Sequence, residues 1–162
     1  MTRTQAAAGG ATKTTIHGVA VAIGGAGVLL RGRSAAGKSR LAEELAEGAR
    51  RRGWFGRLVA DDRVQVVACG DRLVLSPHHA IAGRIERRGQ GIFEVDHEAA
   101  VVLRLVVDLV DRDRALDHPA RMPGPEDQVT WIEGVATPRL ALAIGEPGAA
   151  QAIFERIEQI GA

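Results

Sequence analysis

The feature that most constrains this chain is residues 32–39, which read Gly-Arg-Ser-Ala-Ala-Gly-Lys-Ser. They fit the pattern G-x-x-x-x-G-K-S, which holds phosphate groups when a strand precedes it and a helix follows it. The apolar residues 27–30 end one residue before this loop, and Leu41 and Leu45 recur at helical spacing after it. That context argues against a chance match in an alanine- and glycine-rich chain. The sequence therefore predicts a strand–loop–helix unit within an α/β fold.

The chemistry of such a loop follows from its backbone. Its N–H groups converge on phosphate oxygens, and the following helix adds the positive end of its dipole. We expect Lys38 to reach the β and γ phosphates of a bound nucleotide and the Ser39 hydroxyl to bind Mg²⁺. The expected nucleotide contacts are Gly32, Ser34, Ala35, Ala36, Gly37, Lys38 and Ser39.

A pair of adjacent carboxylates, Asp61 and Asp62, follows the apolar residues 58–60. P-loop proteins place a metal-binding carboxylate at the end of a second strand. Two neighbours can divide the work, one holding the metal shell and the other accepting a proton. The alternative is a turn cap between two strands, because aspartate is common in turns. The loop upstream favours the functional interpretation.

Residues 85–91 form a charged segment closed by glycines, which allow close backbone approach to a ligand. Glu86 is a candidate Mg²⁺ ligand, and Arg88 is a candidate for stabilising charge on a transferring phosphate. On spacing alone, an ordinary surface loop is the better interpretation. His17 lies among apolar residues of an expected strand, which by itself is more typical of a core histidine.

Composition limits the remaining possibilities. The 162 residues suit one domain, and a net charge of +1 gives no broad basic field for nucleic acid. The single Cys69 excludes an intrachain disulfide and favours a reducing compartment. The apolar run of residues 19–30 is shorter than the about 20 residues that span a bilayer. We therefore expect a cytoplasmic protein that binds neither membrane nor nucleic acid.

The apolar pattern predicts a strand-rich mixed sheet with few helices. Residues 1–13 show no periodicity and are expected to be a disordered tail. One helix is expected after the loop, a short one over residues 79–86 and a closing one over residues 151–160. The expected strands are residues 15–23, 27–30, 58–60, 63–68, 73–75, 92–95, 101–110, 129–135 and 140–144.

Four segments taken together resemble HPr kinase/phosphorylase in order and approximate spacing: residues 16–18, 32–39, 58–62 and 86–91. The resemblance implies a P-loop nucleotide-binding domain of HPr kinase type over residues 14–162, resembling a short form with the catalytic domain alone. It further implies an ATP-dependent protein serine kinase acting on HPr, the phosphocarrier of the sugar phosphotransferase system. A P-loop small-molecule kinase and a catalytically weak nucleotide sensor remain as alternatives.

The resemblance also implies roles for individual residues. Asp61 would be the base that takes the serine proton, and Asp62 and Glu86 would serve Mg²⁺ together with Ser39. His17 would orient the phosphate or the base, and Arg88 belongs to the signature segment. ATP and Mg²⁺ are the implied cofactors. Family members are homohexamers, so a homo-oligomer is expected.

Three departures from the family pattern are visible. Ala35 stands where the family usually has glycine, and a positive φ there would strain alanine. Arg40 stands where an acidic residue is usual. Residues 146–150 read Glu-Pro-Gly-Ala-Ala in place of a basic stretch. Because phosphorolysis crowds two anions, the last change predicts a kinase with weak phosphorolysis, unless Arg121 or Arg139 compensates.

Overall fold

The computed structural model describes residues 12–112 and 122–161. Nine strands, two α-helices and two short 3₁₀ turns occur in these ranges, so the expected strand-rich sheet with few helices is confirmed. The strands and α-helices are β1 (Lys13–Ile23), β2 (Ala26–Gly32), α1 (Lys38–Arg51), β3 (Gly56–Cys69), β4 (Arg72–Pro77), β5 (Arg84–Arg87), β6 (Gly91–Glu94), β7 (Val101–Val110), β8 (Val129–Ile132), β9 (Val135–Ala143) and α2 (Ala149–Gln159). Lys13, expected in the tail, begins β1, and residues 1–11 lie outside the described residues.

The main sheet has the order β2-β1-β3-β4-β7-β9-β8, and β2 also pairs with β7. Strands β2, β1, β3, β4 and β7 therefore close into a ring, from which β9 and β8 extend. Strand β7 pairs with β4 near its start, with β9 over its second half, and with β2 along its other side. Because β2, β7 and β9 are parallel to one another, their carboxyl ends share one edge of the sheet.

Alternate residues of the strands divide between two apolar cores, as the two-residue period of a strand requires. One core lies between the sheet and the helices and includes Val19, Leu30 and Leu45. The other draws side chains from all five ring strands, among them Ala20 and Leu29, and fills the ring. Loop and helix α1 are thus held against one face only.

The acidic pair is not where the sequence suggested. Residues 58–60 and 63–68 were expected as two strands, but β3 runs unbroken through both. A register shift opposite Ala20 and Val21 leaves Val59 as an extra residue of β3, and bulges of this kind let a strand continue. Three residues further on, Asp62 adopts φ of +68° while still paired with β1, and aspartate tolerates this left-handed region better than most residues. The carboxylates therefore lie within a strand, not at a strand end or in a turn.

Two other expectations were wrong in detail. The helix expected over residues 79–86 is a 3₁₀ turn at His79–Ile81 followed by strand β5. The strand expected over residues 129–135 is interrupted, because Glu133 and Gly134 both have positive φ and make a turn between β8 and β9. Within the described ranges, no helix is both long and apolar enough to cross a membrane.

Candidate active site

The phosphate-binding loop joins the end of β2 to the start of α1. Gly32 has φ of +151°, and a Cβ added there would lie 2.8 Å from the carbonyl oxygen of Leu109 on β7. Gly37 has φ of +85° and precedes the first residue of α1. Ala35 has φ of +66°, so the condition under which alanine would be strained at this position is met. The loop therefore requires two glycines and holds one alanine in a strained conformation.

Lys38 is buried at the base of this loop. Its Nζ donates hydrogen bonds to the carbonyl oxygens of Gly32 at 2.9 Å and Arg33 at 2.8 Å. Burial lowers the pKa of the Lys38 ammonium, while the charges of Asp61 and Asp62 partly oppose that shift. A cation held by neutral carbonyls in a partly desolvated loop is a favourable partner for phosphate oxygens.

Asp61 is fixed at both of its oxygens. The Ser39 hydroxyl donates to Oδ1 at 2.8 Å, and the backbone N–H of Glu86 donates to Oδ2 at 2.9 Å. The Asp61 side chain is buried. One carboxylate thus connects the start of α1, the middle of β3 and the hairpin formed by β5 and β6.

Asp62 is placed differently, because its side chain is 62% exposed. By alternation from Ala60 and Val64, which lie in the ring core, Asp62 would face the ring interior. Its positive φ allows it to face His17 instead, with 2.9 Å between Oδ1 and the histidine Nδ1. His17 is 57% exposed, so it is not the core histidine that its apolar neighbours suggested.

These groups surround a cavity of about 600 Å³. Of the residues predicted for the site, all except Gly32 line it. The cavity is also lined by four residues that were not predicted for the site, Arg40, Glu43, Arg87 and Gln90. Glu43 lies one helical turn beyond Ser39 on the same face of α1, and that spacing was the available signal.

The donor set suits a magnesium ion bound mainly through a nucleotide. Among the described residues, no three His, Cys, Asp or Glu side chains cluster as a metal cage. Mg²⁺ does not need one, since it keeps several waters and takes one or two protein ligands plus phosphate oxygens. The Ser39 hydroxyl and the carboxylates of Asp61, Asp62 and Glu86 supply hard oxygen donors around one cavity.

A second polar group, the arginine–aspartate cluster, consists of Arg31, Asp108 and Arg139. Arg31 donates to both oxygens of Asp108 at 2.7 and 2.9 Å, and Arg139 donates to Oδ2 at 2.5 Å. Burial alone would raise the pKa of Asp108, but the hydrogen bonds and charges of the two arginines outweigh it and lower that pKa.

Arg139 of this cluster and Glu146 of residues 146–150 are the residues on which the expectation of weak phosphorolysis depended. Arg139 is engaged with Asp108 and with the Asp127 carbonyl oxygen, and it does not line the cavity. Glu146 pairs with Arg112 and does not line the cavity either. The carboxylate expected to repel phosphate is therefore neutralised elsewhere, and Arg121 lies outside the described residues.

The fold and the loop define a P-loop domain of the kind that binds nucleotide phosphates. Residues 10–159 match the family described as the HPr Serine kinase C-terminal domain, and the chain belongs to that family. It is 34% identical over 140 residues to the HPr kinase/phosphorylase of Chlorobium phaeobacteroides, covering 82% of this chain and 39% of that relative. It is 33% identical over 144 residues to the enzyme of the same name from Streptococcus thermophilus, covering 83% of this chain and 43% of that relative.

The chain therefore spans about two fifths of the length of these curated relatives. Among solved structures, the Hpr(Ser) kinase/phosphatase from Coxiella burnetii matches with a TM-score of 0.72 and 23% identity. That match covers 90% of this chain and 95% of the other, and it establishes the fold. Use of a nucleotide is what membership of a kinase family implies.

Proposed function

We propose that this domain transfers the γ-phosphoryl group of Mg²⁺-ATP to a serine of an HPr-type phosphocarrier protein. The observation that carries the proposal is that the loop with Lys38 and Ser39 and the pair formed by His17 and Asp62 open onto one cavity. A phosphate donor and a proton acceptor are thereby in reach of one substrate hydroxyl. The names of the relatives support a protein substrate over a small molecule or a purely sensory role.

The loop has the holding role in this scheme. Backbone N–H groups of residues 34–39 and the Lys38 ammonium bind the β and γ phosphates, and Ser39 binds the metal. A magnesium ion held at Ser39 would supply positive charge that offsets the negative charge developing during transfer. Asp61, fixed by Ser39 and by the Glu86 N–H, keeps the Ser39 hydroxyl oriented.

The contacts of the acidic pair favour Asp62 as the general base. Both oxygens of Asp61 already accept hydrogen bonds, whereas Asp62 is exposed at the cavity and paired only with His17 among the described side chains. Asp62 would take the proton of the serine hydroxyl as its oxygen forms a bond to the γ-phosphorus. The bond to the β-phosphate oxygen breaks, and ADP leaves. This division exchanges the two roles that the family resemblance implied.

Two residues of the hairpin formed by β5 and β6 have further roles in this proposal: Glu86 would help hold Mg²⁺, and Arg88 would stabilise the charge of the transferring phosphate. Arg88 lines the cavity, and no ion pair of Arg88 or of Arg40 occurs within the described part of the chain. Both guanidinium groups can therefore attract phosphate. Reversal by inorganic phosphate was expected to be weak because residues 146–150 lack basic side chains and include Glu146. The Arg112 ion pair removes only the second of these reasons, so weak reversal stays part of the proposal. A homo-oligomer and a cytoplasmic location remain further parts of the proposal.

The test is transfer from labelled ATP and Mg²⁺ to a candidate HPr-type protein, with mass-spectrometric mapping of the modified residue. We expect phosphoserine with the wild-type domain and none with Lys38→Ala, because that change removes the charge facing the phosphates. Calorimetry of ATP binding accompanies the assay, with Lys13→Ala on the exposed start of β1 as the control. Tight ATP binding by Lys38→Ala, or phosphorylation of a small molecule alone, would contradict the proposal.

A further inference from the structure

The hairpin of β5 and β6 stands apart from the main sheet as a sheet of only two strands. Two-stranded hairpins are marginal by themselves, so their contacts with the rest of the fold decide where they lie. Ile85 anchors one end, since its side chain is fully buried in the core beneath α1. The tip at residues 88–90 is exposed, yet it lines the cavity.

Near that tip, one ion pair joins the hairpin to α1. Nε and an Nη of Arg87 both donate to Glu43 Oε1, at 3.1 and 2.6 Å. The guanidinium also lies over the ring of Phe93, 4.6 Å from its centre. Two hydrogen bonds and a stacked ring fix the Arg87 side chain more firmly than a single exposed contact would.

The neighbours of Arg87 are the two hairpin residues assigned to the reaction. Glu86 precedes it in β5, where successive side chains point to opposite sides, and Arg88 follows it as the first residue of the turn. Holding Arg87 against α1 therefore fixes the strand end that carries Glu86 and the turn that begins at Arg88, and all three residues line the cavity. The Glu86 N–H additionally donates to Asp61, so the same short segment also holds the acidic pair.

We propose that the Glu43–Arg87 pair is a positioning clamp that holds Glu86 and Arg88 at the wall of the cavity. A second cavity of about 510 Å³ lies beside the first, and Glu43 and Arg87 line both. The ion pair therefore forms part of the wall that separates the two cavities. Without it, the hairpin tip has room to move away from the phosphate loop. The kinetic part of this inference rests on the proposed function, whereas the positional part does not.

The chain supplies a matched control for an ordinary surface ion pair. Glu47 and Arg51 pair four residues apart on the same helix, with 62% and 63% of their side chains exposed. Glu43 and Arg87 are less exposed, at 34% and 39%, and join two elements. Exposed pairs within one helix contribute little, so loss of the control pair has no expected effect on the hairpin.

The first measurement is amide hydrogen exchange of the whole chain by NMR, read at Glu86. We expect Glu43→Gln and Arg87→Gln to speed exchange of the Glu86 amide by about three- to five-fold, the range that one partly exposed ion pair supports. Glu47→Gln should leave it unchanged. Equal exchange at Glu86 in all four proteins would overturn the inference, and this readout needs no catalytic activity.

The second measurement is steady-state transfer with the same variants. Each single change should lower kcat by about three- to five-fold with KM for ATP nearly unchanged, and the double variant should be no worse than either single one. Additive losses would show that the residues act separately and would overturn the clamp. If the wild type transfers nothing while Glu86 exchange still responds, the proposed function fails and the clamp stands.

Discussion

The arginine–aspartate cluster and the cavity at the phosphate loop meet at the end of β2, yet their charged side chains differ in how fully they are paired. Arg31 belongs to the arginine–aspartate cluster on the ring side, and the next residue, Gly32, begins the phosphate loop. In the cluster, one carboxylate with 15% exposure accepts from two arginines. In the cavity, Lys38 rests on neutral carbonyls and Asp62 is mostly exposed.

This contrast indicates that the charged side chains of the cluster stabilise the fold, whereas those of the cavity are available to a ligand. The cluster is held together within the fold, because Asp108 accepts from both arginines and Arg139 also donates to the Asp127 carbonyl. It therefore has little to offer a ligand, and removing its carboxylate should destabilise the fold. The cavity contains a lysine that has no carboxylate partner among the described residues, a strained alanine and an aspartate with positive φ. Such incompletely satisfied groups concentrate where a ligand completes them. Variants in the two groups should therefore affect different measurements.

The largest effect is expected at Asp62. Asp62→Asn should reduce transfer by roughly 10²–10⁴-fold, the usual contribution of a general base, with ATP binding and melting temperature retained. Asp61→Asn is the matched variant, and it should mainly raise the Mg²⁺ concentration required. The readout is single-turnover transfer across a Mg²⁺ series. The opposite pattern would restore the roles implied by the family resemblance.

The next effect is on stability. Asp108→Asn leaves Arg31 and Arg139 without their carboxylate and should destabilise the fold by about 2–3 kcal/mol, less than for a fully buried network. For a domain of this size, that lowers the melting temperature by about 5–10 °C. Calorimetric melting with nucleotide titration measures both properties. Lost ATP affinity at unchanged stability would break the proposed separation of the two groups.

The same aspartate predicts a dependence on pH. The folded pKa of Asp108 lies below its ordinary value, so its stabilisation is complete above the unfolded pKa of about 3.9. It is lost as the pH falls from there through the folded value. Urea unfolding between pH 6 and pH 2.5 should therefore show a steeper acid loss for the wild type than for Asp108→Asn. Parallel curves would contradict this assignment.

A smaller effect is expected at Glu86. If its side chain helps hold the water shell of Mg²⁺, Glu86→Gln should raise the Mg²⁺ concentration for half-maximal transfer by a few-fold. Folding should be unaffected, because the Asp61 contact uses the backbone N–H of this residue. Glu94→Gln, at the exposed end of the same hairpin, is the control. Identical Mg²⁺ curves would assign Glu86 to the protein surface.

The smallest effect belongs to Ala35. Its left-handed backbone costs about 1–2 kcal/mol, and glycine would relieve that strain while adding disorder to the unfolded chain. Ala35→Gly should therefore stabilise the domain by about 0.5 kcal/mol. Chemical unfolding can resolve this difference when the two proteins are measured side by side. Destabilisation would mean that the Ala35 methyl group has packing contacts that outweigh its strain.

Sequence patterns predicted those parts of the structure that depend on neighbouring residues. The loop and its flanking strand and helix follow from residues close together in sequence. The unbroken course of β3 did not, because adjacent aspartates resemble a turn until β1 pairs alongside them. Glu43 and Arg87 could not be paired from sequence either, since their contact joins a helix to a hairpin 44 residues away.

The closure of the ring has a consequence for biosynthesis. Strand β2 pairs in parallel with β7, whose residues come 77 positions later in the chain at the Arg31–Asp108 contact. Pairings of such high contact order form slowly and late. The first glycine of the phosphate loop packs against Leu109 at the end of β7. The loop therefore lacks this packing contact until β7 has been synthesised and has paired with β2. Nucleotide present during translation should consequently protect full-length chains from proteolysis, whereas ribosome-bound chains that end before β7 should gain no protection.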